Sequence, residues 1–222
     1  MQEFPEDVFT EPEDVDPDTL ANLGPLRRLA GIWQGMKGVD VNPKAAGPER
    51  RQFLERIEMQ PIDPQANGPQ LLYGLRYHVH VVASDEESTF HDQIGYWLYE
   101  PKTGLIMQSV SIPRGQTALA GGLAEGERIV VRAERGVPGY GISSTDFLEW
   151  AFRTDVYELE VSFLADGRWS YVSTTVLQVR GRTDPFQHID RNILTKIAEP
   201  RPNPLLRITR GEAKREPAHG FA

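Results

Sequence analysis

The sequence contains no cysteine, so disulfide bonds, thiolate metal sites and cysteine nucleophiles are excluded together. It also has no P-loop, no dinucleotide glycine fingerprint, and neither the H-E-x-x-H nor the G-x-S-x-G motif. Nucleotide-dependent, zinc-protease and serine-hydrolase activities therefore have no motif to rest on. No stretch approaches the roughly 20 apolar residues that a membrane helix needs.

Positive charge is also scarce. The 222 residues include 24 Lys and Arg against 32 Asp and Glu, which gives a formal net charge of −8. This balance excludes the basic surface that nucleic acid requires and gives little attraction to anionic lipid. The acidic N-terminus has neither the basic nor the apolar region of a signal peptide. We therefore predict a cytoplasmic protein whose partner is a small molecule rather than nucleic acid or a membrane.

Charge and proline divide the chain into three regions. Residues 1–19 are acidic and contain no Lys or Arg, so we expect a flexible arm. Residues 199–222 are rich in proline and basic side chains and are predicted to form a tail. Residues 20–198 provide enough chain for one domain with its own core.

Residues 20–198 show a period-two alternation that predicts β-strands. In the segment QLLYGLRYHVHVVA (70–83), one face carries an apolar series: Leu71, Tyr73, Leu75, Tyr77, Val79 and Val81. About ten such strands follow one another, mostly through short turns, with one or two short helices. This pattern predicts an all-β fold, a single antiparallel up-and-down β-barrel. A barrel of this strand number has room for a small ligand inside.

The segment GIWQGMKG (31–38) resembles the first strand of the calycin barrels, in which a tryptophan plugs one end. More narrowly, it is similar to the G-x-W-x-G-x-G motif of the nitrobindins, a haem-binding β-barrel family related to fatty-acid-binding proteins. Gly31, Trp33 and Gly35 match that motif. The third glycine comes one position late, at Gly38, and VDVNP replaces the family's Tyr-Pro-Thr stretch. An alternative is that the tryptophan plugs the barrel floor without touching a ligand.

Two further segments carry the same resemblance. HDQIGYW (91–97) is similar to the family's His-x-Glu-x-Gly-Tyr. His91, Gly95 and Tyr96 match, and Gln93 stands in place of the acid. The next strand contains Gln108, similar to a glutamine of the family. The resemblance implies that His91, Tyr96 and Gln108 line the pocket.

The segment TDPFQHIDRNIL (183–194) resembles the late strand that carries the family's proximal haem ligand. The resemblance implies that His188 is the axial ligand of a b-type haem, with nitric oxide binding or peroxynitrite isomerisation at the open iron position. Neutral imidazole suits that role, and Asp190, on the same strand face, could orient the ring. With His188 inside, Ile189 and Ile193 are predicted to face outward. The complete predicted cofactor-binding set is His188, His91, Gln108, Trp33, Gly31, Gly35, Gly38 and Tyr96.

A zinc site is an alternative use of the histidines. His78 and His80 lie two residues apart on one strand face, and a hairpin could bring His91 opposite His80. Three histidines from adjacent strands can bind zinc.

A lipid carrier is the alternative function. A barrel without haem could hold a fatty acid whose carboxylate pairs with Arg76, Arg132 or Arg153. A barrel with a filled interior, acting only through its surface, is a third possibility.

Overall fold

A computed structural model describes residues 6–84 and 89–202. Three short helices are present: α1 (Thr19–Asn22), a 3-10 helix (Gly24–Leu29) and α2 (Asp146–Ala151). The strands are β1 (Gly31–Lys44), β2 (Gly47–Pro61), β3 (Gln65–Asn67), β4 (Gln70–Ala83), β5 (Thr89–Glu100), β6 (Leu105–Ile112), β7 (Gln116–Glu125), β8 (Arg128–Glu134), β9 (Ile142–Ser144), β10 (Phe152–Phe163), β11 (Trp169–Val179) and β12 (Phe186–Ala198).

Ten of these strands form one closed antiparallel barrel. The hydrogen-bonded order is β2-β1-β12-β11-β10-β8-β7-β6-β5-β4, and β2 pairs with β4 to close it. The short strands β3 and β9 lie outside this ring and pair with β4 and β7. The predicted all-β barrel of about ten strands is therefore confirmed, with one more short helix than expected.

The up-and-down connectivity gives the barrel two different ends. The 3-10 helix and the β5–β6, β7–β8 and β10–β11 turns lie at one end, which we call the floor. The β1–β2, β6–β7 and β11–β12 turns lie at the opposite end together with α2, and we call this end the mouth. The position of a residue along its strand therefore gives its depth in the barrel.

The floor is closed by apolar side chains. Leu26 and Leu29 of the 3-10 helix are fully buried, and Trp33 at the start of β1 is 1% exposed. The Trp33 indole N–H donates to the Leu29 carbonyl at 2.8 Å, and its ring meets Trp169 edge to face with 5.8 Å between centroids. This packing blocks the floor end of the barrel.

An extra residue in β1 changes which side chains face inward. Gly35 pairs with Glu55 and Gly38 with Phe53, so three steps along β1 correspond to two along β2. Such a bulge reverses the inside–outside phase of the strand. Trp33 points inward before the bulge, and Asp40, which is fully buried, points inward after it. Gly38, the motif's third glycine, therefore comes one position late because it follows the bulge.

Part of the predicted N-terminal arm contacts the barrel. The Tyr73 hydroxyl donates to the Asp16 carbonyl at 3.1 Å, and the Thr19 hydroxyl donates to the Ile62 carbonyl at 2.6 Å. The Val8 carbonyl lies so close to Gly68 that any side chain at residue 68 would clash with it. The arm's attachment therefore begins well before the first helix.

No helix in the described part of the chain is long and apolar enough to cross a membrane.

Candidate functional site

The barrel encloses a cavity of about 430 Å³ between the plugged floor and the mouth. This volume lies in the range of small-molecule sites. Its floor is apolar and includes Trp97, Trp169, Leu159 and Val161, whereas its middle and upper walls carry polar groups. The cavity can therefore hold a ligand with an apolar body.

His188 projects from β12 into the upper half of this cavity, as predicted. Its Nε2 atom lies 2.8 Å from Asp40 Oδ1 and 3.5 Å from Asp190 Oδ2. Asp40 and Asp190 are register partners on β1 and β12, so the two carboxylates meet at the same level of the wall. Asn42 fixes the buried acid by donating its amide N–H to Asp40 Oδ2 at 2.5 Å.

The two carboxylates keep this imidazole charged. Burial opposes the charged form, but hydrogen bonds to Asp190 and Asp40 outweigh it and raise the pKa of His188 to about 10. Burial also opposes ionisation of Asp40, yet the hydrogen bond from His188 holds the pKa of that carboxyl below its ordinary value. At neutral pH the group is therefore an imidazolium between two carboxylates, with one negative charge in excess.

A third acid, Glu55, lies in the middle of the same wall and is 4% exposed. It accepts hydrogen bonds from the Tyr171 hydroxyl at 3.0 Å and from Asn192 Nδ2 at 3.0 Å. Burial raises the pKa of Glu55 to about 7, so it exchanges a proton near neutrality. The inner wall thus becomes more negative as the pH rises.

Glu55 is expected to make the stability of the protein depend on pH. Its pKa in the folded protein is raised above the ordinary value of 4.5, so its stabilising contribution is complete below pH 4.5 and is lost as the pH rises through about 7. We expect the free energy of unfolding to fall by roughly 3 kcal/mol from this group between pH 4.5 and 8. The measurement is a series of urea unfolding curves across that range for the wild type and Glu55→Gln.

The glutamine variant should lose this part of the pH dependence, because it keeps the shape and hydrogen-bonding ability of the protonated acid. Glu58→Gln is the matched control, since Glu58 is on the same strand but half-exposed and paired with Arg56 at 3.2 Å. A pH profile that is identical in the wild type and Glu55→Gln would show that folding does not raise the pKa of Glu55.

The wall opposite His188 is polar but uncharged. His91 Nε2 lies 3.3 Å from Gln93 Oε1, and Gln93 donates to the Tyr77 hydroxyl at 2.7 Å. The Tyr157 hydroxyl donates to Gln108 Oε1 at 2.9 Å. Burial lowers the pKa of His91, which keeps that imidazole neutral. This wall offers hydrogen bonds without a formal charge.

Three of the predicted site residues therefore line the cavity: His188, His91 and Gln108. Trp33 is separated from it by Leu29 and Trp169, so it plugs the floor.

The three predicted glycines of β1 allow close packing within the barrel wall and do not line the pocket. A Cβ at Gly31 would lie 2.8 Å from the Ala198 carbonyl, one at Gly35 2.2 Å from the Asn192 amide, and one at Gly38 2.1 Å from the Phe53 ring. Their small size lets neighbouring side chains pack against β1.

Tyr96 is on the outer face of the barrel and is 47% exposed, so the expectation that it lines the pocket is corrected. Tyr96 lies five positions after His91, and an odd number of positions along a regular strand places two side chains on opposite faces. The inward neighbour is Gly95, where a Cβ would lie 1.9 Å from the Ser109 carbonyl.

The structure does not bring the three strand histidines together. His91 pairs in register with Val81, and His80 with Asp92, one residue away from the expected pairing. His78 Nε2 lies 2.9 Å from Asp92 and His80 Nε2 2.9 Å from Thr89, both at the surface. His91 alone of the three faces the cavity. The zinc interpretation is therefore wrong for this set.

The arginines considered for a fatty-acid head group also lie outside. Arg132 pairs with Glu158 at 3.2 Å and Arg153 with Asp155 at 2.7 Å on the exposed surface. Arg76 is exposed next to an outer groove. Arg114, on the β6–β7 turn, is the arginine that borders the cavity among the described lining residues.

Four further residues line the cavity but were not predicted from the sequence: Asp40, Glu55, Tyr157 and Tyr171. The sequence does contain one indication for Glu55. It occupies the same alternating face of β2 as the apolar residues Phe53, Ile57 and Met59. An acid on that face must be buried with partners.

Comparison with known proteins agrees with the β-barrel fold. A family model described as "THAP4-like, heme-binding beta-barrel domain" matches residues 22–196. The crystal structure of Rv2717c from M. tuberculosis is similar to this fold, with a TM-score of 0.56, 18% sequence identity, and coverage of 82% of this chain and 99% of that chain. No curated protein sequence matches the chain.

Proposed function

We propose that this chain, which belongs to the THAP4-like heme-binding β-barrel domain family, binds b-type haem in its cavity through His188. The nitrobindin-like resemblance of the sequence is confirmed by that membership. The observation that carries the proposal is the position of His188, a histidine on the inner wall of a cavity of about 430 Å³. When bound, haem would supply an iron atom that can take a diatomic gas such as nitric oxide.

The residues present fit such a group. His188 offers an imidazole to the cavity, and histidine ligands of metals normally have a carboxylate partner nearby. Nε2 contacts both Asp40 and Asp190, so Nδ1 is the nitrogen that would ligate a metal, once it has given up its proton. Asp40, fully buried, would keep its hydrogen bond with Nε2 and so hold the orientation of the ring.

The remaining walls suit a flat apolar ligand together with a small diatomic ligand that can accept a hydrogen bond. Trp97, Trp169 and Leu159 provide apolar contact near the floor. His91 stays neutral and faces the space opposite His188, where it can donate or accept one hydrogen bond. We therefore assign His91 and Gln108 to the side of the cavity where a small second ligand would be recognised.

The acidic inner wall disfavours the alternative, a fatty-acid carrier. Asp40, Asp190 and Glu55 line the middle of the cavity, and a buried carboxylate head group beside them would be repelled. The alternative retains one supporting observation, since Arg114 at the mouth could pair with a carboxylate.

Parallel titrations of the full-length protein decide between the two functions. We expect hemin to give a saturable shift of the Soret band at one equivalent, because one histidine in one cavity provides one site. A fluorescent fatty acid should bind weakly. Tight fatty-acid binding that natural fatty acids displace, together with an unshifted hemin spectrum, would overturn the haem proposal in favour of lipid carriage.

A further inference from the structure

The polar residues of the cavity are arranged unevenly with depth. Asp40 and Asp190 lie on the strand segments just below His188, and Glu55 lies at the centre of β2. Below them the lining is mostly aromatic and aliphatic down to Trp97, and its register partner Gln108 is an uncharged polar exception. A ligand carboxylate in the lower half would therefore lose its hydration near like charges without gaining a cation.

Three cations border the cavity above this space, and two of them already have partners. His188 is paired with Asp40 and Asp190, and Lys44 at the mouth is paired with Glu49 at 3.4 Å. The third cation is Arg114.

Arg114 borders the mouth of the cavity and is exposed. Within residues 6–84 and 89–202, its guanidinium has neither a hydrogen bond nor an ion pair. Burial is the main cause of the lowered pKa of His91, and the charge of Arg114 adds to it, so the two side chains share one electrostatic environment.

The backbone holds Arg114 at a fixed place on the rim. Pro113 and Arg114 are the central residues of a tight turn closed by the Gly115 N–H, which donates to the Ile112 carbonyl at 3.2 Å. Gly115 has a φ of +76°, which favours glycine. Its carbonyl accepts from the Thr145 N–H at 3.0 Å, and this bond ties the turn to the start of α2.

We propose that the cavity takes its ligand in one orientation, with the ligand's carboxylates at Arg114 on the rim and its apolar body directed toward Trp97 and Trp169 on the floor. The ligand class is thus a flat, apolar ring system with carboxylates along one edge, the chemistry of a porphyrin dicarboxylate. This inference rests on the proposed haem function, but it assigns a specificity-determining role to Arg114 that does not depend on the iron.

Metal-free protoporphyrin IX and its dimethyl ester test this orientation, because they differ in carboxylate charge and neither needs His188 as an iron ligand. Binding is measured with the full chain through quenching of tryptophan fluorescence. We expect Arg114→Ala to weaken protoporphyrin IX binding about five- to tenfold and to leave the ester unchanged, as for loss of one partly exposed charge-assisted contact. Arg114→Glu should weaken the diacid further.

Arg76→Ala is the matched control, since it removes the same charge from the outer face. It should change neither affinity. The wild-type preference for the diacid should also shrink as salt is raised. Equal losses for both porphyrins in Arg114→Ala, no loss for either, or no binding of protoporphyrin IX to the wild type would each overturn the assignment. A selective loss with an unshifted hemin spectrum would retain the Arg114 role while rejecting ligation by His188.

Discussion

Replacing His188 with alanine is expected to abolish the hemin-induced shift of the Soret band and to weaken hemin binding by about a hundredfold or more. Removing a side chain that only hydrogen-bonds to a metal ligand already lowers the affinity for the metal about 10- to 100-fold. Removing the ligand itself should lower the affinity at least as much. The mutation leaves Asp40 buried and without its cationic partner. Affinity is measured by spectroscopic titration, and folding is checked by circular dichroism.

Two other histidines provide controls for this prediction. His80→Ala changes an outer-face side chain that contacts Thr89, so hemin binding should remain at the wild-type level. His91→Ala changes the opposite wall and should keep most of the affinity, because no ligation is assigned to it. If His188→Ala retained the wild-type spectrum and His91→Ala lost it, the axial ligand would be His91.

A substitution that keeps polarity at residue 188 separates ligation from folding. His188→Gln can still hydrogen-bond to Asp40 and Asp190 but offers no nitrogen with a free lone pair. It should fold better than His188→Ala and be equally deficient in the Soret shift. A spectrum restored in the glutamine variant would show that His188 shapes the wall without binding iron.

Strand alternation was sufficient to predict the barrel and one wall of the site. On β4 it placed Tyr73, Leu75 and Tyr77 inside, and these three are buried. On β12 it placed His188 and Asp190 on one face, and both line the cavity. The outward Ile193 is 48% exposed, as that phase requires. These predictions succeed because both strands keep a strict period of two along the relevant residues.

The remaining site residues depend on features that alternation does not contain. The bulge between Gly35 and Gly38 reverses the phase of β1, and the sequence shows it only as a glycine one position late. Asp40 therefore enters the cavity although simple counting from Trp33 puts it outside. The hairpin register that separates His80 from His91 involves a further irregularity, between Val81 and Val82. Pairing between strands, not the sequence of one strand, decides both outcomes.

The floor of the barrel gives the largest stability effect that we expect. Trp33→Ala should lower the free energy of unfolding by about 3–5 kcal/mol, the usual cost of removing a buried tryptophan from a packed core. The ring is 1% exposed, packs edge to face against Trp169, and donates its N–H to the Leu29 carbonyl. Its loss would leave a void at the floor and a buried carbonyl without a partner.

Chemical denaturation followed by far-ultraviolet circular dichroism measures this loss without relying on tryptophan fluorescence. Trp150→Ala is the matched control, because Trp150 is 57% exposed on α2 and contacts Arg180 at 4.2 Å from the ring centroid. Its substitution should cost about 1 kcal/mol or less. The loss in free energy of unfolding for Trp33→Phe should lie between those of the two alanine variants, since phenylalanine keeps most of the apolar area but loses the hydrogen bond. If Trp33→Ala cost no more than Trp150→Ala, the floor would be closed by the 3-10 helix alone, and the first-strand tryptophan would have no plugging role.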